Sequence, residues 1–508
     1  MSQEKRILLA SALSVIVLVL YSRFFVPQRS AIQPQDPPDE KKTQQQDPIT
    51  QLKLEEEVIT LESDKLVLKI GKSSTAVRSI SLKEFKNNSS GSSIEFGTTF
   101  PVFHVLVDQD HVSWALSAQS QRRVVWRTTR EDVTMLELSL ELSEITPTFV
   151  VSLNVKNSSG ELKKLPVQIV SAWARSDNSS GQYNVLEAIF LTQKEQPWQR
   201  THLRYREGAS QPRRVPRGTP LATLSERYFC QSIQLDQKQK ARVSLIPAQK
   251  GVIAASIEST VGVEPQEEAS YSVSVYTGPR DFFNLRDAGF AHAFPLGLLS
   301  RIGLVLVLLL KWIAAVTRSY GIAIIVLAGL VTLVLSPFTL ISFRSMKKLQ
   351  ELQPKIEQIK KKHEKDQVKA NQETFALFKE HRVSPLSGCL PMFIQLPVFF
   401  ALWSSISQLI ELRGERFLWI KDLSLPDRFA KLPVGVELNL LPVLMAAAMY
   451  IQTRMSQKNV PKTGQNIFSG PMMSVLFGVM FYQVPSSVVL YWLTNSLISI
   501  FVYRLARL

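Results

Sequence analysis

Charge is what this chain lacks over long stretches. Residues 463–503, a run of 41, contain no Asp, Glu, Lys or Arg. That run is too long for one bilayer crossing and about right for two. Gln483, Val484, Pro485, Ser486 and Ser487 at its centre predict a turn, so the run reads as a membrane hairpin. Residues 321–343 and 389–410 are equally free of charge, and residues 438–453 form a shorter run between Glu437 and Arg454. These gaps exclude an ordinary soluble chain. The net charge of +16 must therefore sit in loops and outside the bilayer, which weakens a nucleic-acid reading.

Cysteine is scarce too. The expected topology separates Cys230, in an exported domain, from Cys389, near the cytoplasmic end of a span, which excludes an intramolecular disulfide. Leu386-Ser387-Gly388-Cys389 resembles a lipoprotein box but lies too deep in the chain, and reads as a small-residue helix start.

Catalytic signatures are missing. Gly71-Lys72-Ser73 ends like a phosphate loop, but Leu66 stands where the motif needs Gly. His363-Glu364 opens like a zincin motif, but Gln367 occupies the second His position. The six histidines (104, 111, 202, 292, 363 and 381) form no ligand-spaced cluster, and there is no G-x-S-x-G elbow. Neither metal, cofactor nor enzymatic activity is expected. The runs after residue 320 carry no ionisable group, which argues against a proton-coupled pump or ion transporter.

What is present divides the chain. Lys5 and Arg6 precede an apolar run, residues 7–20, with no small-x-small cleavage site after it. Residues 1–26 therefore read as an uncleaved anchor, with Arg23 at the far interface. Residues 27–53, rich in Gln, Pro and Asp, read as a disordered linker. Residues 54–278 alternate apolar and polar: Leu136, Leu138, Leu140 and Leu142, then Phe149, Val151, Leu153 and Val155, then Tyr271, Val273 and Val275. Period two with one apolar face predicts half-buried strands and an all-β sandwich. Asn-Ser-Ser-Gly at Asn88, Asn157 and Asn178 predicts turns.

Residues 279–320 read as an interfacial amphipathic region. Lys311 and Arg318 fall about 20° apart on a helical wheel, with Trp312 beside them. Residues 321–508 supply five spans, which with the anchor makes six. The segment 344–382 carries eleven basic and six acidic residues and belongs in the cytoplasm by the positive-inside rule. Both termini then fall there and the β domain lies on the outer side. The basic residues of 411–437 dissent, and the other loops outvote them. Met346, Leu349, Leu352, Ile356 and Ile359, a polar turn at 363–366, and Val368, Phe375 and Phe378 predict a helical hairpin over 344–382. It reads as a solvated link, or as a dock for acidic lipid, ribosomal RNA or a partner protein.

Uncharged polar residues recur inside the spans: Thr332, Ser336, Thr339, Gln395, Tyr491 and Asn495 among them. They predict either interhelical hydrogen bonds or a water-accessible groove able to hold the polar part of another chain.

The chain resembles the YidC family of membrane protein insertases, of the Gram-negative type with a large periplasmic domain. The likeness is carried by Ser336-Pro337-Phe338-Thr339, Ser345-Met346-Lys347-Lys348-Leu349 and Leu352-Gln353-Pro354-Lys355-Ile356. It continues in residues 384–391 (Ser-Pro-Leu-Ser-Gly-Cys-Leu-Pro), Ile394-Gln395-Leu396-Pro397, Leu418-Trp419-Ile420-Lys421-Asp422-Leu423 and Leu490-Tyr491-Trp492. The resemblance implies a bacterial inner-membrane insertase and chaperone for nascent membrane proteins. It would work without an energy-coupled motor, alone or beside the Sec translocon. Its hydrophilic groove would open to cytoplasm and lipid and be closed outside. Thr332, Ser336, Thr339, Gln395, Tyr491, Trp492 and Asn495 would line that groove and touch clients. Lys347, Lys348, Lys360, Lys361 and Lys362 would make the hairpin's contacts. The family's buried arginine lies five residues before the proline of the first core span, where this chain has Thr332, so a formally neutral groove is expected. The chain ends at Leu508 without a long basic extension, which leaves any ribosome contact to the hairpin, to residues 454–466 or to Arg504 and Arg507. A transporter or lipid scramblase using the same cleft is the alternative, and a scaffold anchored by its core is a third.

Overall fold

A computed structural model describes residues 56–505, apart from 87–90, 98–100, 108–111, 131–133, 175–185, 193–198, 205–212, 215–218, 237–240, 248–251, 295–297, 365, 382–389, 432–436 and 457–469. The expected anchor and linker lie outside these residues. The chain divides into two compact units, 1–294 and 295–508.

The first unit is a sandwich of two antiparallel sheets, each of nine strands among the described residues. One sheet runs in the order Val58–Glu62, Leu66–Gly71, Val77–Lys86, Phe103–Val107, Lys163–Ala174, Val252–Val263, Arg242–Pro247 and Arg213–Arg214, with Ser93–Phe96 added on Val77–Lys86. The other runs Gln199–Arg204, Glu187–Thr192, Leu221–Ser225, Phe229–Leu235, Glu268–Pro279, Thr148–Asn157, Thr134–Leu142, Arg123–Thr129 and Ala115–Gln119. The period-two residues named above all point inward: Leu136, Leu138, Leu140, Leu142, Phe149, Val151, Leu153, Val155, Tyr271, Val273 and Val275 are buried. Aromatic pairs join the sheets across this core, Phe103 to Phe149 at 5.7 Å and Phe96 to Phe229 at 5.5 Å. Asn157 is buried, and its amide donates to the carbonyls of Glu161 and Val263, so this Asn-Ser-Ser-Gly copy acts as a turn clamp.

The phosphate-loop look-alike at Gly71 has a structural explanation. The N–H groups of Ser73 and Ser74 both donate to Glu56, which also accepts from the Ser74 hydroxyl and pairs with Arg78 at 3.1 Å. A carboxylate of the chain itself fills the place an anion would take. Burial alone would raise the Glu56 pKa; the bonds from Ser74, Ser73 and Arg78 outweigh it and hold the pKa below its ordinary value. A depressed folded-state pKa stabilises above the unfolded carboxylate pKa and is lost as pH falls through the folded value. Glu56→Gln should therefore flatten the acid limb of the unit's stability, read as thermal midpoint against pH.

A short helix, α1 (Phe282–Asp287), follows the last strand, its N-terminus capped by Asp281. Leu285, Phe290 and Ala293 pack on Leu191, Leu221, Cys230 and Tyr276. Residues 282–293 thus belong with the sandwich, beyond the boundary at 278 that alternation alone suggests. Cys230 lies in this core, where burial pushes its thiol pKa up to about 12.

The second unit is helical: α2 (Leu298–Thr317), α3 (Tyr320–Glu351), α4 (Gln353–Lys362), α5 (Gln367–Glu380), α6 (Leu390–Ile406), α7 (Leu440–Ser456), α8 (Gly470–Met480) and α9 (Ser486–Leu505). Among the described residues two helices are long and apolar enough to cross a membrane, at Leu299–Thr317 and Tyr320–Phe338. Three apolar helices are shorter, at Gln395–Ile406, Leu440–Met455 and Ser486–Val502. Length and composition therefore allow α2 to cross, where its charges predict an interfacial helix. Lys311 pairs with Glu411 at 2.5 Å, and Val305, Leu308, Trp312 and Val316 form one outward apolar stripe. Arg318, at φ 55°, makes the turn from α2 to α3.

α3 continues for 32 residues, about 48 Å, so Lys347 and Lys348 ride on the same helix as the apolar span. Pro354 lies in the first turn of α4, where its missing N–H costs nothing. The turn at 363–366 appears as expected, and Leu352 and Ile356 pack on Leu377 and Phe378 to close the hairpin.

α2 and α6 approach closely at Gly303. A Cβ there would collide with the Ser405 hydroxyl and lie 2.9 Å from the Ala401 carbonyl oxygen. Gly303→Val should destabilise the core by about 1–3 kcal/mol, seen as a lower thermal midpoint in detergent, and Gly303→Ala by less.

Candidate functional site

α3 presents two faces. Ala323, Ile324, Leu327 and Ala328 are buried, while Leu333, Val334, Phe338 and Ile341 are exposed as a lipid-facing surface would be. Thr332 continues the inner face and is 8% exposed. Its hydroxyl lies 2.7 Å from the Ala328 carbonyl oxygen and 2.7 Å from Asn495 Oδ1 on α9. One hydroxyl proton cannot serve two acceptors. Turning the Asn495 amide, whose oxygen and nitrogen are interchangeable in shape, lets Nδ2 donate to Thr332 while Thr332 donates to Ala328.

One turn before Asn495, Tyr491 is fully buried, and its hydroxyl accepts from Gln395 Nε2 on α6 at 2.9 Å. Tyr491 and Asn495 therefore share one face of α9 and link it to α6 and α3. The result is a polar seam among three apolar helices, built from two hydroxyls and two amides. Gln395 and Asn495 are half-buried at its rim. The sequence leaves a groove and interhelical bonding as alternatives. In this state the side chains bond to one another, because pairing inside hydrocarbon costs less than leaving either group alone.

The other expected residues fall elsewhere. Ser336, half-buried, donates to the Leu333 carbonyl at 2.7 Å. Pro337 has no N–H to give that same carbonyl, so the hydroxyl repairs the break that proline makes. Trp492 is turned from the seam into an aromatic cluster, edge-on to Phe399 at 4.6 Å and stacked on Phe477 at 5.7 Å. The side chains of Thr339 and Lys347 lie outside the described residues. Lys348, Lys361 and Lys362 are exposed and Lys360 is half-buried, the last three closing α4 where its dipole favours cations. Lys362 and His363 reach Glu373 across the hairpin, at 3.5 and 2.9 Å. The His363 bond first, then the charges beside it, holds the Glu373 carboxyl below its ordinary pKa. The histidine of the zincin look-alike is thus a hairpin strut.

One group that spacing does not reveal is Asp427. Its Oδ2 accepts from the N–H groups of Leu440 and Leu441, both at 2.9 Å, and from Trp419 Nε1 at 3.3 Å. It caps α7 from 13 residues upstream, beyond any local capping signal. The Ser486 and Ser487 N–H groups donate to Leu425 and Leu423. Asn439 accepts from the Arg428 N–H and donates to the Tyr482 carbonyl. With Leu412, Ile420 and Leu423 buried beneath them, these bonds fold residues 407–431 and 437–438 into a lid over one end of the bundle. Tyr491 and Asn495 sit about 8 and 14 Å along α9 from that closed end. Lys348, Arg454 and Arg504 lie toward the opposite end. No group of three metal-ligating side chains occurs among the described residues.

Residues 312–507 match the family model described as 60Kd inner membrane protein. The chain is 34% identical over 283 residues to the membrane protein insertase YidC of Geobacter sp. strain M21, covering 55% of this chain and 51% of that one. It is 37% identical over 267 residues to the one from Syntrophobacter fumaroxidans, covering 50% and 47%. The chain thus spans about half the length of these curated relatives. A crystal structure of an active YidC insertase with its first transmembrane domain resolved aligns over 97% of this chain and 98% of its own, at 19% identity and TM-score 0.39. A galactose mutarotase-like protein from Lactobacillus casei aligns over 44% of this chain and 100% of its own, at 10% identity and TM-score 0.34. At such scores neither likeness decides anything, and the architecture rests on the strands and helices themselves. The core motifs, the family model matched over residues 312–507 and the curated relatives converge: over its helical unit the chain is similar to the membrane protein insertases YidC.

Proposed function

We propose that this protein is an insertase and chaperone of the bacterial inner membrane, moving nascent membrane proteins from cytoplasm to bilayer. The observation that carries the reading is the polar seam of Thr332, Asn495, Gln395 and Tyr491, set in an apolar bundle and lidded at one end. A client's polar flank exchanges bonds with the seam while its apolar segment moves into lipid. Burial of that segment supplies the driving force, about 0.8 kcal/mol per methylene. The reaction makes and breaks no covalent bond.

The proposed topology has six spans, the anchor at 1–26 and five from residue 321 onward. Both termini are cytoplasmic and the β unit is periplasmic. α2 lies along the outer interface, its stripe of Val305, Leu308, Trp312 and Val316 turned to lipid. The lid formed by 407–431 and 437–438 closes the outer side. Lys347, Lys348, Lys360, Lys361 and Lys362 receive clients or the ribosome at the inner side, and the Sec translocon is a partner for larger clients.

Reconstitution of the full chain into liposomes with a nascent single-span client tests this. Insertion without ATP, well above that of protein-free liposomes, is the expected result. Solute or lipid flux without client insertion would replace the reading with a transporter or scramblase, and the absence of both would leave a scaffold.

A further inference from the structure

We infer that the seam discriminates among clients by the charge of the polar flank, favouring amides and hydroxyls over carboxylates and ammonium groups. The inference rests on the insertase reading and assigns Thr332, Asn495, Gln395 and Tyr491 as its specificity-determining residues.

All four are neutral, and each can both donate and accept. In the closed state they satisfy one another, Thr332 with Asn495 at 2.7 Å and Gln395 with Tyr491 at 2.9 Å. A client that enters must replace those partners. An amide or hydroxyl replaces them in kind, donor for donor and acceptor for acceptor. A carboxylate brings acceptors only, so the amide oxygens of Gln395 and Asn495 lose their match. It also brings a charge in beside Leu327 and Ala328, both buried. An ammonium group makes the converse mismatch, with donors only.

No charged side chain lies on the runs that carry the seam. Residues 321–343, 389–410 and 463–503 contain no Asp, Glu, Lys or Arg. Arg344 lies twelve residues beyond Thr332, about 18 Å along α3. A buried charge without a counterion is the costliest group such a site can be asked to hold.

The test uses the full chain in phosphatidylcholine liposomes, so that lipid charge plays no part. Three single-span clients differ only in two central flank residues: Asn, Asp or Lys. Each rate is divided by that of the same client in protein-free liposomes, which removes the cost of carrying the charge through lipid alone. The Asn client should insert about tenfold faster than the Asp and Lys clients, a barrier difference near 1.4 kcal/mol. Thr332→Lys should then favour the Asp client over the Asn client, a change of preference that mere loss of packing would not produce. Should that variant fail to fold, the flank series on the unaltered chain decides alone. Asp or Lys clients inserting as fast as Asn would overturn the selectivity and leave the insertase reading standing. Failure of all three clients to exceed protein-free liposomes would end the insertase reading and the selectivity with it.

Discussion

Arg280→Ala should cost the β unit about 3–5 kcal/mol, while the paired change Arg280→Met with Glu187→Leu should cost little. Arg280 and Glu187 are 9% and 11% exposed at their side chains, and Nη2 lies 2.9 Å from Oε2. The guanidinium also donates to the Glu226 carbonyl at 3.3 Å, so it ties Glu187–Thr192 to the turn that precedes Phe229–Leu235. Removing Arg280 alone takes from Glu187 the guanidinium it is bonded to in a largely buried place, and breaking one side of a buried pair is costly. Removing both takes the two charges away together and strands neither. Hydrogen exchange of the full chain in detergent reads this locally. Amides of Glu187–Thr192 and Glu268–Pro279 should lose protection in the single variant and regain most of it in the double. A double variant as labile as the single one would mean that the pair contributes more than mutual neutralisation.

The ion pair also marks where reading a sequence stops. Strands are legible because alternation is local: Leu136 to Leu142 announce a buried face within seven residues. The hairpin turn at 363–366 is legible for the same reason, since a polar break separates two apolar stripes. The end of α3 is not. Arg344, Lys347 and Lys348 read as the edge of a span, which they are in polarity, yet Arg, Met, Lys, Leu, Gln and Glu are strong helix formers and the helix runs on to Glu351. Charge sets where a span stops; the Leu352–Pro354 segment sets where the helix stops. The seam is half legible. An unusual density of polar residues in apolar runs singles out Thr332, Gln395, Tyr491 and Asn495. The pairing of Thr332 with a partner 163 positions away does not show in one sequence, nor does the turning of Trp492 away from Tyr491. Neighbours on a helix point about 100° apart, so adjacency in the chain does not place two residues at one site. Asp427 lies beyond a reading of the sequence because its cap is tertiary.

Trp492→Ala should be the most damaging single change in the helical core, at about 3–5 kcal/mol. Its ring meets Phe399 of α6 and Phe477 of α8, as well as Phe481 just beyond α8 at 5.6 Å. Phe481 also meets Phe399 at 5.7 Å and Trp403 at 5.5 Å, so the cluster is one contiguous body of rings joining three helices. α8 depends on it most. At 11 residues it is too short to persist alone, and it also packs on α7, with Gly478 close to Ala446. Loss of the indole should therefore release the amides of Gly470–Met480 first, while α2 and the buried half of α3 keep their protection. Trp492→Phe, which keeps a ring in the cluster, should lose less than half as much. Insertion should fall with α8 in the alanine variant and largely survive in the phenylalanine one. Trp492 faces away from Gln395 and Asn495, so its effect on clients has to pass through the stability of α8. Equal loss of insertion in both variants, with α8 protected in each, would instead place the indole in direct contact with the client.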